Sequence, residues 1–383
     1  MPGIYIHIPF CKQACHYCNF HFSTSTRSQK EMLDAILKEI QITPFHTGTE
    51  ELPVNTIYFG GGTPSLLETS SLKAILEAIK KRFIVSQDPE ITLEANPDDI
   101  SATKLTEWRA LGINRFSVGI QSFQDAELSW MNRAHTAADS LQCIDMIRAA
   151  GFDNFSADLI YGSPLLSDED WKKNVATLID KQVPHISCYA LTVEPKTALH
   201  QMIRLQKKLP VDTDKQARQF EELMDWMEQA GYEQYEISNF CKPGMRSKHN
   251  SSYWLQLGEG TAAGYYGFGP SAHSFDGQSR SWNIANNALY IRSLQLGDLP
   301  RETELLSASQ KLNEYIMTAL RTHEGINLKL IEEYSGIILR KQVEDAGKKW
   351  QQNECMLIRN EQMSLTKKGK LFADGIASDL FVA

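Results

Sequence analysis

The sequence predicts an α/β fold whose centre is a parallel sheet built from repeated β-α units. Short apolar strands alternate with segments of helical periodicity six times between residues 3 and 191. Gly112 and Gly151 follow helical segments, as glycines often do at helix C-termini. Because parallel strands need long crossover connections, this order places helices outside one sheet. A doubly wound sheet and a full or partial barrel both satisfy the pattern.

The β-α units are predicted in order along the first half of the chain. Ser28 and Glu31 have the spacing of a capping box for the first helix, and Ser167 with Asp170 caps a later one. The predicted strands are 3–8, 54–59, 91–95, 114–120, 155–161 and 185–191, and the helical segments include 28–42, 72–79, 101–111 and 141–150.

The pattern changes after the sixth strand. A long helix over 212–230, a strand over 235–240, a segment rich in Gly, Ser and aromatic residues over 241–276 and a linker over 298–303 are predicted. Helices at 306–322, 328–335 and 338–351, a hairpin of 356–358 with 363–365 and a last helix from Thr366 are typical of a winged-helix-like module. We divide the chain into a domain of β-α units over 1–240, a connecting region over 241–300 and a C-terminal helical domain over 301–383.

Composition restricts the class of partner. The chain has 383 residues and a net charge of −8, from 39 Lys and Arg against 47 Asp and Glu, which disfavours nucleic acid even for a winged-helix-like module. No apolar run approaches the roughly 20 residues of a membrane span. Seven cysteines, three of them within eight residues, argue against a disulfide framework and predict a cytoplasmic location.

Three of the cysteines, Cys11, Cys15 and Cys18, follow directly on the first predicted strand. Thiolates suit zinc or iron–sulfur clusters. A zinc site completed by His7 or His16 is one alternative, and a redox pair of the last two thiols is another. Three cysteines on a cubane leave one iron open for a ligand, and we favour this [4Fe–4S] interpretation. Single buried positions are expected for the remaining Cys143, Cys188, Cys241 and Cys355.

Glycine and polar residues stand at the ends of the following strands. Gly60, Gly61, Gly62 and Thr63 end the second strand, where a backbone without Cβ atoms is able to approach a ligand. Ordinary turns and caps are the alternative explanation for each residue alone. The others at or after strand ends are Glu94, Gln121, Arg133 and Asp158. Because barrel active sites form at the C-terminal ends of strands, these residues are predicted to surround one cavity.

The spacing of the three cysteines, with Tyr17 before the last, resembles the motif of the radical S-adenosylmethionine (SAM) proteins. Over nearly its whole length the chain resembles their oxygen-independent coproporphyrinogen III oxidase family, through the segment 5–11, the glycine loop, the stretch 121–158 and the C-terminal module. The resemblance implies a partial (β/α)6 barrel with a small C-terminal helical domain. It also implies SAM contacts at Tyr5, Gly60, Gly61, Gly62, Thr63, Glu94, Gln121, Arg133 and Asp158.

The family contains oxidases and HemW-like haem chaperones, and the resemblance is stronger to the chaperones. Phe20 stands where the oxidases have a further cysteine, and the long oxidase extension before the cluster is not expected here. The segment His249-Asn-Ser-Ser-Tyr253-Trp254 resembles the HNxxYW motif tied to haem binding. Haem is therefore the implied cargo, with His249 as axial ligand and His273 as second candidate. Residues 255–264 are longer than the family pattern predicts.

Several functions stay open at this point. A haem chaperone would hand haem to haem-accepting proteins, some of them membrane-associated, and would form a homodimer. The alternative is the oxidase itself, an enzyme that decarboxylates two propionates of coproporphyrinogen III. A porphyrin methyltransferase and a nucleic-acid-binding winged-helix protein are further alternatives.

Overall fold

The computed structural model describes residues 3–46, 51–254 and 264–382. Its strands are β1 (Gly3–Ile8), β2 (Val54–Gly61), β3 (Val85–Ala95), β4 (Arg115–Gln121), β5 (Phe155–Tyr161), β6 (His185–Ala190), β7 (Glu233–Glu236), β8 (Asn239–Cys241), β9 (Tyr265–Phe268), β10 (His273–Phe275), β11 (Ser279–Asn283), β12 (Arg301–Leu305), β13 (Ile326–Asn327), β14 (Met356–Arg359) and β15 (Gln362–Leu365). The α-helices are α1 (Gln29–Ile42), α2 (Thr69–Arg82), α3 (Ala102–Ala110), α4 (Asp125–Trp130), α5 (Ala137–Ala149), α6 (Asp168–Asp180), α7 (Ala198–Arg204), α8 (Thr213–Gln229), α9 (Lys248–Trp254), α10 (Asn287–Leu296), α11 (Ala308–Leu320), α12 (Leu328–Gln352), α13 (Lys367–Lys370) and α14 (Ala373–Leu380).

The main sheet is a partial barrel. Strands β1 to β6 are parallel and lie in chain order, and the full order is β12-β11-β10-β9-β1-β2-β3-β4-β5-β6-β8-β7. The sheet does not close on itself, because β12 and β7 are its two edges. The predicted α/β fold with a partial (β/α)6 barrel is confirmed.

The two faces of this sheet differ in polarity. Along β1, Ile4, Ile6 and Ile8 are at most 1% exposed and belong to the core under the helices, whereas Tyr5 and His7 alternate with them. Alternation along a strand places these two sets on opposite faces. The inner face is polar along its length, with Thr56, Tyr58, Glu90, Thr92, Glu94, Arg115, Ser117, Ser156, Asp158, His185 and Ser187 at the corresponding positions. A barrel lined in this way is suited to a polar ligand.

Four strands, β9 to β12, extend the sheet beyond β1, and we call them the sheet extension (residues 265–305). The predicted linker over 298–303 is wrong, because Arg301–Leu305 is the edge strand β12, paired antiparallel with β11. The predicted strand over 235–240 is also wrong, because it is a hairpin of β7 and β8. Strand β12 is mostly exposed, and β7 and β8 have only four and three residues, so none of them shows an apolar periodicity that indicates a separate strand.

Helix caps were predicted with mixed success. Ser167 accepts a hydrogen bond from the backbone N–H of Asp170 at 3.0 Å, as predicted. Ser28 lies at the N-terminus of α1 but makes no side-chain cap hydrogen bond, so the predicted capping box with Glu31 is wrong. Gly336 breaks the helical backbone inside α12, which confirms two helical segments there.

The C-terminal helices α11, α12 and α14 and the small sheet β13-β15-β14 share a separate apolar core. The predicted hairpin is present as β14 and β15. Within the described ranges, none of the helices is long and apolar enough to span a bilayer. The division at residues 240 and 300 stays a prediction.

Candidate cluster and SAM site

The cysteine loop follows β1 and is tied to the glycine loop. The backbone N–H of Gly62 donates to Ile8 O at 2.9 Å, and that of Thr63 donates to Phe10 O at 2.7 Å. The N–H of Cys11 donates to Ser23 O at 3.0 Å, which closes the loop on its other side. The ends of β1 and β2 therefore hold the cysteines and the glycines next to each other.

The three thiols lie partly exposed at this end of the barrel. Burial raises the pKa of Cys18 to about 11, and repulsion from Cys15 and Cys11 contributes to the rise. Arg133 Nη1 lies 3.3 Å from Cys15 Sγ, where it stabilises a thiolate. A coordinating metal deprotonates thiols outright. Iron bound here would therefore offset the free-energy cost of burying the charged thiolates. The donor set fits a [4Fe–4S] cluster held by three cysteines.

The zinc alternative has no support in the geometry. His7 is bonded through Nε2 to His21 O at 2.8 Å and through Nδ1 to Tyr5 Oη at 3.2 Å. His16 Nδ1 lies 2.9 Å from Trp130 O. In the described part of the chain, no three His, Cys, Asp or Glu side chains are grouped to hold a single metal ion. The three cysteines of a [4Fe–4S] cluster bind three different iron atoms. The lack of a single-ion group among the described residues therefore argues against zinc and not against the cluster.

The glycine loop forms a cradle over Glu94. A Cβ atom on Gly60 would lie 2.8 to 2.9 Å from Tyr58, Glu94 and Tyr5, and one on Gly62 would lie 2.6 Å from a backbone oxygen. Glu94 Oε2 accepts the N–H of Gly61 at 3.2 Å, and Oε1 accepts the Tyr58 hydroxyl at 2.7 Å. Burial raises the pKa of Glu94 to about 7, and Asp158 adds to the rise. A ligand ammonium would stabilise the charged form of this carboxyl group.

Asp158 stands across the barrel with an unused acceptor. Its Oδ1 atom is buried and has no hydrogen-bond partner in the described residues, while Oδ2 lies 3.4 Å from Ser117 Oγ. Burial raises the pKa of Asp158 to about 6. Buried acceptors are rarely left unsatisfied, so this atom marks a place for a ligand hydroxyl, as SAM presents.

Arg133 is held by several protein acceptors. Nη2 donates to Gly119 O at 2.8 Å and to Asn96 Oδ1 at 2.5 Å, and Nη1 faces Cys15. Only Nε is buried without a partner in the described residues. The guanidinium thus links the ends of β3 and β4 to the cysteine loop. Gln121 lies next to it at the end of β4, with a positive φ of 69° that is uncommon outside glycine.

The structure brings the predicted SAM contacts to one end of the barrel. Sequence reasoning missed Tyr58, Asn96 and Ser117, which bond to the predicted residues. Two of them could have been found from the alternation of side chains along a strand. Tyr58 lies two residues before Gly60 and Ser117 lies two residues before Gly119, so each shares the inner face of its strand with that glycine.

The segment that resembles the HNxxYW motif lies near the opposite end of the barrel. Glu90 accepts the N–H groups of Lys248 and His249 at the start of α9, at 3.0 and 2.9 Å. His249 Nδ1 lies 2.9 Å from Thr56 Oγ1, and its ring stacks on Tyr58 at 4.8 Å between centroids. Burial lowers the pKa of His249 to about 4, and Arg115 adds to this. The His249 imidazole is therefore held inside the barrel by a hydrogen bond to Thr56 and by stacking on Tyr58.

The other residues of the motif lie towards the sheet extension. Tyr253 is 44% exposed, and its ring centroid lies 5.3 Å from that of Tyr265 on β9. Trp254 Nε1 donates to Asn250 Oδ1 at 3.0 Å. Residues 255–263, most of the predicted insertion, lie outside the described residues. His273 is exposed on β10.

Known proteins resemble the chain in sequence over its whole length. It is 33% identical over 379 residues to Heme chaperone HemW of Bacillus subtilis, with 98% of each chain covered. The chain belongs to the HemW family of radical SAM proteins. The Escherichia coli HemW is 29% identical, with 100% of this chain and 98% of that one covered. A murine relative, Radical S-adenosyl methionine domain-containing protein 1, mitochondrial, is 32% identical over 98% of this chain and 81% of its own.

Two domain families also match parts of the chain. Residues 5–178 match the Radical SAM superfamily, and residues 306–372 match the HemN C-terminal domain. The structure of coproporphyrinogen III oxidase (HemN) from Escherichia coli superposes with a TM-score of 0.84 at 21% identity, covering 100% of this chain and 90% of that one. This similarity shows the shared fold.

Replacing Gly60 with Ala is expected to weaken SAM binding by roughly tenfold to a hundredfold, since overpacking costs about 1–3 kcal/mol. The new Cβ would displace Tyr58, Glu94 or Tyr5. Equilibrium dialysis of SAM against the cluster-reconstituted protein measures the effect. Gly375→Ala is the control, because nothing lies within 4 Å of its added Cβ. If both variants bound SAM with equal affinity, the glycine loop would not be part of the SAM site.

Proposed function

We propose that this chain binds haem and transfers it to haem-dependent proteins, on a barrel that carries a [4Fe–4S] cluster and SAM. The observation that carries the proposal is the full-length similarity to haem chaperones, at 33% identity over 98% of the chain. A reduced cluster with bound SAM supplies radical chemistry. The residues of this chain would hold the two groups, and we propose Cys11, Cys15 and Cys18 as the cluster ligands.

The proposed SAM contacts follow from the polar strand ends. Glu94 would accept from the ammonium together with the Gly60 to Thr63 backbone, and Asp158 would accept from a ribose hydroxyl through its unsatisfied Oδ1. Arg133 would donate to the carboxylate through its unpartnered Nε, while Nη1 and Nη2 position the cysteine loop against the ends of β3 and β4. The remaining proposed contacts are Tyr5 and Gln121.

The comparison with HemN supports the oxidase hypothesis only through the shared fold. Phe20, at the position where the resemblance expects a further oxidase cysteine, is 66% exposed beside the cluster loop. A large exposed apolar side chain there supplies no thiol chemistry. We therefore propose that tetrapyrrole is cargo rather than substrate, and that haem-accepting proteins are the partners.

Anaerobic turnover separates the two functions. Reconstituted protein, reductant, SAM and coproporphyrinogen III are incubated, and tetrapyrroles and 5′-deoxyadenosine are separated by chromatography. We expect no protoporphyrinogen, while a haem titration of the same preparation gives a saturable Soret change. Protoporphyrinogen formed over many turnovers would make the chain an oxidase.

Location and assembly are part of the same proposal. The odd number of cysteines, with three gathered in one loop, indicates a reducing compartment, so we propose that the chain acts in the cytoplasm. Membrane-associated acceptors and a homodimer remain proposals that accompany the chaperone function.

A further inference from the structure

One row of residues crosses the first three strands where α9 meets the barrel, and we call it the base row (Gly3, Thr56 and Glu90). Gly3 of β1 lies directly opposite Thr56 of β2, and Thr56 lies directly opposite Glu90 of β3. Residues at the same register position of neighbouring strands share a face of the sheet. His249, at the start of α9, lies close to all three of them.

Glu90 fixes the backbone at the start of α9. This carboxylate is 4% exposed, and it accepts the N–H of His249 at 2.9 Å and the N–H of Lys248 at 3.0 Å. It also lies 3.2 Å from the Ser247 hydroxyl. Glu90 therefore determines where the Cα atom of His249 lies, without any contact to the imidazole.

Thr56 fixes the imidazole of His249. Its Oγ1 atom lies 2.9 Å from Nδ1, and the ring stacks on Tyr58 of the same strand with an angle of 22° between the planes. A Cβ atom on Gly3 would lie 2.7 Å from Thr56 Oγ1 and 3.6 Å from Nδ1. The glycine in the base row therefore leaves the room in which this hydrogen bond forms.

The second ring nitrogen of His249 is left for a ligand. Nε2 makes no hydrogen bond to any residue within 3–46, 51–254 or 264–382, and it is not one of the polar atoms buried there without a partner. A histidine that binds a metal through one nitrogen usually donates the N–H of the other to a nearby acceptor. A hydroxyl group is able to accept as well as to donate, so Thr56 fits the tautomer in which Nε2 carries the lone pair.

We propose that Thr56 is a positioning residue that presents Nε2 of His249 to the iron of haem. The inference rests on the proposed function, in which haem is the cargo. A neutral hydroxyl is a weaker acceptor than a carboxylate. The Nδ1–H group therefore stays weakly polarised and the imidazole a moderate donor to iron, which suits a ligand that has to release its haem.

The experiment is a ferric haem titration of the full-length, cluster-reconstituted protein by Soret absorbance, followed by a redox titration of the bound haem. Thr56→Val keeps the shape but loses the hydroxyl, and it is expected to weaken haem binding about tenfold. It is also expected to raise the midpoint potential of the haem, because an imidazole without an acceptor at Nδ1 stabilises ferric iron less. Thr56→Ser keeps the hydroxyl and is expected to restore both values.

The matched control is Thr92→Val. Thr92 is a buried threonine on the inner face of the neighbouring strand β3, and its Oγ1 atom has no hydrogen-bond partner among the described residues. Removing this hydroxyl breaks no contact to His249, so wild-type haem affinity and midpoint potential are expected.

The outcomes separate the role of Thr56 from the function itself. A wild-type protein without a saturable Soret change would defeat the proposed function. Wild-type affinity and potential in Thr56→Val, or wild-type affinity in His249→Ala, would overturn the inference and leave haem binding standing. If Thr56→Ser failed to restore the affinity, or if Thr92→Val weakened it equally, the loss would come from general packing of the barrel and the inference would be rejected.

Discussion

Cys15→Ser is expected to abolish the broad absorbance near 400 nm of the [4Fe–4S] cluster after anaerobic reconstitution. A serine hydroxyl is a harder and far less acidic ligand than a thiol, and only two thiolates would remain. The substitution also removes the sulfur that faces Arg133 Nη1 at 3.3 Å. Iron and sulfide content per chain, with the absorbance spectrum, measures the loss.

The control for this prediction is a cysteine of the same chain that lies in an apolar core. Cys355 is 3% exposed in the core of the C-terminal helices, away from the cysteine loop. Cys355→Ser is expected to keep iron, sulfide and absorbance at the wild-type level while lowering stability by about 1–3 kcal/mol, because a hydroxyl is then buried. Full iron and sulfide content in Cys15→Ser would contradict the assignment of the cluster.

The parallel half of the fold was predictable because it is buried. Strands such as Ile4-Tyr5-Ile6-His7-Ile8 carry an apolar outer face against helices, so their periodicity is visible in the sequence. Periodicity did not decide between a barrel and a doubly wound sheet, because both bury the same faces. The sheet extension was missed, since β10 and β12 have three and five residues and β12 is mostly exposed.

The candidate site was predictable only in part, for a related reason. Strand ends converge in any parallel barrel, so Glu94 and Asp158 were found from their positions alone. The stacking of His249 on Tyr58 depends on α9 returning to the barrel interior, a contact between residues 191 positions apart. No local pattern around the HNxxYW-like segment indicates which way its imidazole points.

A buried glutamate on the first helix joins the barrel to the sheet extension. Glu39 of α1 is fully buried and accepts hydrogen bonds from the Gly269 N–H at 2.8 Å, Asn283 Nδ2 at 2.6 Å and the Tyr290 hydroxyl at 2.5 Å. Arg301 Nη2 of the edge strand lies 3.3 Å from its Oε1. Burial raises the pKa of Glu39, and these donors oppose the rise.

Glu39→Leu is expected to destabilise the protein by about 3–5 kcal/mol, because it removes the shared acceptor and leaves the Arg301 charge partly buried without its partner. Urea unfolding followed by tryptophan fluorescence measures the change, and Trp282 on β11 lies in the affected segment. Asp34→Leu, an exposed carboxylate on the same helix, is the control and is expected to change stability by less than about 0.5 kcal/mol.

A second substitution, Glu39→Gln, tests whether the hydrogen bonds of the carboxylate hold the sheet extension against α1. Gly269 leads from β9 towards β10, Asn283 ends β11 and Tyr290 lies on α10, so the donors that Glu39 binds are spread over the sheet extension. Glu39→Gln keeps the size and one carbonyl acceptor, and we expect it to lose less stability than Glu39→Leu. If Glu39→Leu unfolded at the same urea concentration as Asp34→Leu, the carboxylate would not be what fastens the sheet extension to α1. The apolar contacts of β9 with β1 and α1 would then have to hold it.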